Sequence, residues 1–106
     1  MRQFRLENMI KGWFVGNIVP AALRTSAVEV AVKKYETGAH DRAHFHKIAT
    51  EVTVLISGTA ELNGKRYGPG DIMVIEPGEV TDFRTLEATV TVVVKIPGAN
   101  DDKYEV

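Results

Sequence analysis

The chain has 106 residues, with 13 basic and 14 acidic side chains interspersed along it, for a formal charge of −1. That length fits a single domain with its own core, and the absence of any basic tract leaves no expectation of nucleic acid or an anionic membrane as partner. A hydrophobic fraction of 44% excludes a disordered chain, and the lack of cysteine excludes disulfides, thiolate metal sites and cysteine nucleophiles.

The first apolar stretch, Gly12 to Leu23, is interrupted by Asn17 and Pro20. It falls short of the roughly 20 residues that cross a bilayer. Its "GWFVGNIVP" reads as a strand rather than a secretory signal, so a cytoplasmic location is expected. The one helical candidate is a short turn around Pro20 to Arg24. "SAVEVAVKK" then alternates, with Val28, Val30 and Val32 on one face and Glu29, Ala31 and Lys33 on the other, the period of a half-buried strand. "EVTVLISG", "GTAELNG" and "ATVTVVVKI" follow the same logic, the last with Val90, Val92, Val94 and Ile96 on one face.

Turn signals separate these runs: Ser57-Gly58, Asn63-Gly64, Pro69-Gly70, Pro77-Gly78 and Pro97-Gly98. Asn63 and Gly64 both tolerate positive φ, so a type I′ turn and a tight hairpin over 58–67 are predicted. Many short strands in one small domain predict an all-β sandwich or barrel. Its core should span about 26–96, with an N-terminal strand on one side. On the other, "GANDDKYEV" is read as a loosely held polar tail.

All three histidines, His40, His44 and His46, fall within seven positions. On a strand, residues two apart project from one face, so His44 and His46 bring two imidazoles toward one point. Glu51 has the opposite parity and joins them only if a turn or bulge intervenes in "KIAT". If it does, two histidines and a carboxylate suit Fe(II), Mn(II), Ni(II) or Zn(II) with open positions for water or substrate. The alternative is an ordinary H-x-H on an exposed strand. His40, in the 38–42 loop, is expected to be a solvated side chain.

The stretch Gly38 to Gly58 resembles the first motif of the cupin superfamily, G-x5-H-x-H-x4-E-x6-G, and meets it at Gly38, His44, His46, Glu51 and Gly58. The second motif is met only in part. Gly70 and Gly78 match, Glu76 stands at the proline position with Pro77 beside it, Thr81 replaces the third metal-binding histidine, and Thr85 replaces the asparagine. The resemblance implies a double-stranded β-helix, or jelly roll, with His44, His46 and Glu51 directed inward as metal ligands. Thr81 leaves three outcomes open: a facial triad, a fourth ligand from His40, or a pocket that holds no metal. Asp82 lies on the opposite strand face from Thr81.

Parity from Glu51 puts Thr53, Leu55 and Ser57 inside and Val52, Val54 and Ile56 outside. That outer face is too apolar for open water, so either a homodimer or the chain's own N-terminal strand should cover it. Trp13 and Phe14 are candidate interface anchors or core. Phe83 is a candidate inward aromatic, and Arg42, Arg66, Arg84, Tyr35 and Tyr67 are candidates for a pocket mouth that would suit a carboxylate or phosphate. Three functions stay open. One is a metal-dependent cupin binding or acting on a small polar molecule. A second is a metal-free cupin resembling sugar or nucleotide-sugar isomerases and epimerases, with His46 as base and Tyr67 or Tyr35 as acid. The third is a non-catalytic ligand-binding module.

Overall fold

A computed structural model describes residues 1–106. Ten strands form it: β1 (Trp13–Val15), β2 (Glu29–Tyr35), β3 (His40–Phe45), β4 (Thr50–Ser57), β5 (Ala60–Leu62), β6 (Lys65–Tyr67), β7 (Ile72–Ile75), β8 (Thr81–Thr85), β9 (Thr89–Ile96) and β10 (Tyr104–Glu105). They make two antiparallel five-stranded sheets, ordered β1-β2-β9-β4-β7 and β10-β3-β8-β5-β6. The fold is all-β, a cupin-like double-stranded β-helix, as expected. The expected helical turn at Pro20–Arg24 is not formed. A single 3-10 turn lies at Leu6–Asn8 instead, because residues 22 and 23 bond back to Phe14. No helix is long and apolar enough to cross a membrane.

Local chemistry accounts for the corners. Asn63 and Gly64 take φ of 52° and 79°, the pair of positive values that a type I′ turn needs, and β5 and β6 close on them as a hairpin. Gly58, the last glycine of the first motif, has φ of 92°. A Cβ there would overlap the Ala88 carbonyl oxygen and Thr89 Oγ1, so only glycine lets β4 turn against the start of β9.

In the first sheet, the more apolar face of each strand is the outer one. Ala31, Thr53, Leu55, Thr89, Thr91 and Val93 are buried inside, while Val30, Val32, Val52, Val54, Val92 and Val94 are half-buried on the outside. Ile72 and Val74 of β7 are 64% and 55% exposed. β1 pairs with the edge of β2, Trp13 opposite Ala31, and so extends the sheet instead of covering its face. The surface on which the expected homodimer would form is therefore uncovered by this chain. Ser57, expected inside, is exposed, because a register shift between Leu55 and Ser57 breaks the alternation.

The C-terminal tail is not loose. β10 pairs with β3, Tyr104 opposite Phe45, and the two rings stack at 5.5 Å. Asp102, 5% exposed, accepts from the N–H groups of Lys47, Ile48 and Ala49 at 3.0–3.2 Å. Its polar composition misleads because the polarity is spent on an otherwise unsatisfied backbone turn. Burial alone would raise the Asp102 pKa. The three N–H donors, with His46 nearby, outweigh it and hold the carboxyl below the usual range.

A folded value below the unfolded value of about 3.9 means these bonds stabilise the protein fully at neutral pH. Their contribution is lost as pH falls through the folded value. Asp102→Asn, which offers one acceptor oxygen and an unwanted NH2 donor, should cost about 1–3 kcal/mol at pH 7 in urea unfolding. The deficit should shrink below about pH 4. Equal stability of the two proteins at pH 7 would contradict this account.

Candidate functional site

The two sheets enclose a cavity of about 250 Å³ whose lining includes His44, His46, Glu51, Tyr35, Phe83 and Thr81. Each arrives by a different route. His44 lies on the inner face of β3, opposite Thr81 of β8. His46 lies just past the end of β3, and the 46–49 turn pinned by Asp102 carries the chain across to β4, where Glu51 and Thr53 face inward. That turn is the irregularity that Glu51's parity required.

Hydrogen bonds fix how the imidazoles are presented. His44 Nδ1 lies 2.7 Å from the Arg42 carbonyl oxygen and His46 Nδ1 lies 2.8 Å from the Asp102 carbonyl oxygen. A carbonyl only accepts, so each Nδ1 carries a proton, and in the neutral imidazole the lone pair is then on Nε2. The rings meet edge to face at 5.3 Å. His46 is 4% exposed, and its Nε2 has no hydrogen-bond partner. The nearest carboxylate, Glu51 Oε1, is 3.7 Å away, beyond hydrogen-bond length. The other buried polar atom with no hydrogen-bond partner within 3.5 Å is Thr91 Oγ1, which lines the cavity and faces the Tyr35 hydroxyl from beyond that distance. Buried polar atoms are almost always satisfied, so two orphans in one cavity mark the place where a ligand's own polar groups fit.

Around them stand a donor and an aromatic wall. Burial, then the Asp41 and Glu51 carboxylates, push the Tyr35 hydroxyl up to about 12, so it stays protonated as a donor. Its ring meets Phe83 at 5.2 Å.

The ion that the cupin resemblance implies needs its donors on one centre. No group of three His, Asp or Glu side chains closes around a common point, and the position that would complete it holds the buried Thr81. The donors present do not form a closed ligand set. His40 does not join the cavity. The register shift between Asp41 and His44 leaves it on the outer face, where its Nε2 meets Asp82 Oδ1 at 2.6 Å.

Several expectations for the rim are corrected. Arg42, Arg66, Arg84 and Tyr67 are absent from the lining, which holds four lysines instead: Lys11, Lys33, Lys95 and Lys103. Trp13 is half-buried and forms part of the cavity wall, not closed core. Sequence parity could have found Lys33 and Lys95, since Lys33 shares a face with Ala31 and Lys95 pairs with Glu51. Lys103 and Lys11 come from segments whose placement no local pattern reveals.

No family model matches the sequence, and no curated protein matches it. Solved structures do. An uncharacterized conserved protein with a double-stranded β-helix domain from Klebsiella pneumoniae is 28% identical, with a TM-score of 0.70 over 77% of this chain and 72% of that one. KdgF from Halomonas sp. is 23% identical, with a TM-score of 0.65 over 73% of this chain and 76% of that one. The DMSP lyase DddQ from Ruegeria pomeroyi is 19% identical, with a TM-score of 0.70 over 89% of this chain but only 49% of its own. These likenesses show the double-stranded β-helix fold that the first motif's resemblance to cupins implied.

The orphan hydroxyl gives a direct test. Thr91→Val removes an unpaired buried polar atom and should leave thermal stability unchanged or raise it by about 0.5–1 kcal/mol. Thr85→Val is the control, because Thr85 Oγ1 donates to the Glu36 carbonyl at 2.6 Å and accepts from Ala39 N–H at 3.0 Å. That change should cost about 1–3 kcal/mol. Equal losses in calorimetric melts would show that Thr91 is already satisfied.

Proposed function

We propose that this cupin binds a small carbonyl compound in its barrel and moves a proton on the carbon beside the carbonyl, without a metal. The observation that carries this reading is His46: its Nδ1–H is tied to the Asp102 carbonyl and its buried Nε2 lone pair faces the cavity with no protein partner. A desolvated imidazole with a fixed tautomer is a general base held ready for a ligand C–H. Tyr35, protonated and in the same lining, supplies the acid that the sequence left between Tyr35 and Tyr67.

The step balances on these groups. His46 Nε2 takes the proton, the C–H electron pair becomes a C=C bond, and the carbonyl oxygen gains negative charge that the Tyr35 O–H meets by hydrogen bonding. Return of the proton to carbon gives an isomer or the same compound with its hydrogen exchanged. Glu51, 3.7 Å from Nε2, stabilises the imidazolium that forms in between.

The test is solvent exchange. In deuterated buffer, wild-type protein should wash deuterium into the carbon beside the carbonyl of ketoses or 2-oxo acids faster than buffer alone, as read by proton NMR. His46→Gln should lose about 100-fold or more of that rate, and Tyr35→Phe should lose about 10-fold or more. Exchange unaffected by His46→Gln would overturn the reading. So would exchange that disappears with a chelator and returns with one equivalent of Fe, Mn, Ni or Zn. That result would make His44, His46 and Glu51 metal ligands.

A further inference from the structure

The cavity carries a charge that neither the fold nor proton transfer needs. Its lining holds four lysines and two carboxylates, Asp41 and Glu51, an excess of two positive charges in a chain whose formal charge is −1. One lysine is answered: Lys103 Nζ pairs with Asp41 Oδ1 at 2.8 Å. Lys33 and Lys95 form no ion pair. Each ammonium rests 5.0 Å from the centre of the Trp13 ring.

Sheet register explains how they come together and why they stay apart. Trp13 pairs with Ala31 on β2, and Ala31, 0% exposed, leaves room for the indole above it. Lys33 lies two residues beyond Ala31 on β2. Lys95 lies two beyond Val93, the β9 partner of Ala31, in the opposite direction along the sheet. The indole therefore sits between two cations and holds both by cation–π attraction. Burial, then the Lys95 and Lys11 charges, lower the Lys33 pKa, as happens to an ammonium lacking a counterion.

Each lysine also sits beside a polar group of the site. Lys33 pairs across the strands with Thr91, whose hydroxyl is the second orphan. Lys95 pairs with Glu51, the carboxylate next to His46. Both lysines and His46 line the same cavity.

We propose that Lys33 and Lys95, set either side of Trp13, form a carboxylate-binding subsite, and that the ligand of this barrel is a small organic acid. This rests on the reading of the barrel as a ligand site and narrows the ligand's class. The ammonium groups and the Thr91 O–H are all donors, the complement of a carboxylate's acceptor oxygens. At about 30 Å³ per water, the 250 Å³ cavity takes a molecule of about eight non-hydrogen atoms, such as a short 2-oxo acid.

The experiment is calorimetric titration of the full chain with pyruvate, 2-oxobutyrate and 2-oxoglutarate, with their methyl esters and with inorganic phosphate. At least one acid should bind, its ester at least 10-fold more weakly, and its affinity should fall as NaCl rises from 20 to 200 mM. Lys33→Met and Lys95→Met should each weaken the acid 10-fold or more while leaving the ester unchanged, which also reports that the variants fold. Lys65→Met, on the β5–β6 hairpin outside the cavity, should change nothing. Esters binding as well as acids would overturn the subsite but leave a ligand-binding barrel. Phosphate binding more tightly than every acid would overturn the carboxylate class, and so would binding by none of the probes. Acids that bind through the lysines yet show no His46-dependent exchange would keep this inference and remove the proton-transfer reading.

Discussion

The structure turns on one residue near the end of the chain. Asp102 uses its carboxylate to satisfy three backbone N–H groups of the 46–49 turn and its backbone carbonyl to hold the His46 ring. The turn determines where Glu51 enters the second strand of the site. The carbonyl determines which nitrogen of His46 faces the cavity. Without that tie, Glu51 would have the wrong parity to meet the histidine and the imidazole could flip its tautomer. The acid-base geometry of the cavity is thus a consequence of folding the last residues back onto β3.

A second constraint is the inversion of the first sheet. Valines cover its outer face while threonines, a glutamate and lysines line the inner one. With polar groups inside, hydrophobic burial between the sheets is modest and the apolar area is displaced outward. Among the interior hydroxyls, those of Thr53, Thr85 and Thr89 bond to the chain, and that of Thr91 has no partner within hydrogen-bond distance. The first kind hold the barrel closed, and the second is left for what enters it.

The sequence made the fold legible because turn chemistry and strand alternation agree at almost every step. Asn63-Gly64 specified a hairpin, and the spacing from Gly38 to Gly58 brought His44, His46 and Glu51 to one cavity. What stayed hidden was non-local. "DDKYEV" is polar, and nothing in it shows that one aspartate caps a turn more than fifty residues away. A register shift, invisible in composition, sent Ser57 outward against its parity. At the rim, Lys33 and Lys95 follow from strand parity, whereas Lys11 and Lys103 arrive from segments that no local pattern places. The loss at Thr81 was legible. Its consequence, that the donors do not close around a point, needed the distances.

The central claim is that His46 offers an unprotonated Nε2 to the cavity because the Asp102 carbonyl holds the proton on Nδ1. Imidazole 15N NMR of the metal-free protein at pH 8 measures this directly. The account predicts a protonated Nδ1 and a lone-pair Nε2 for His46, with the Nε2 resonance moving when a 2-oxo acid is added. A His46 with its proton on Nε2 would contradict it.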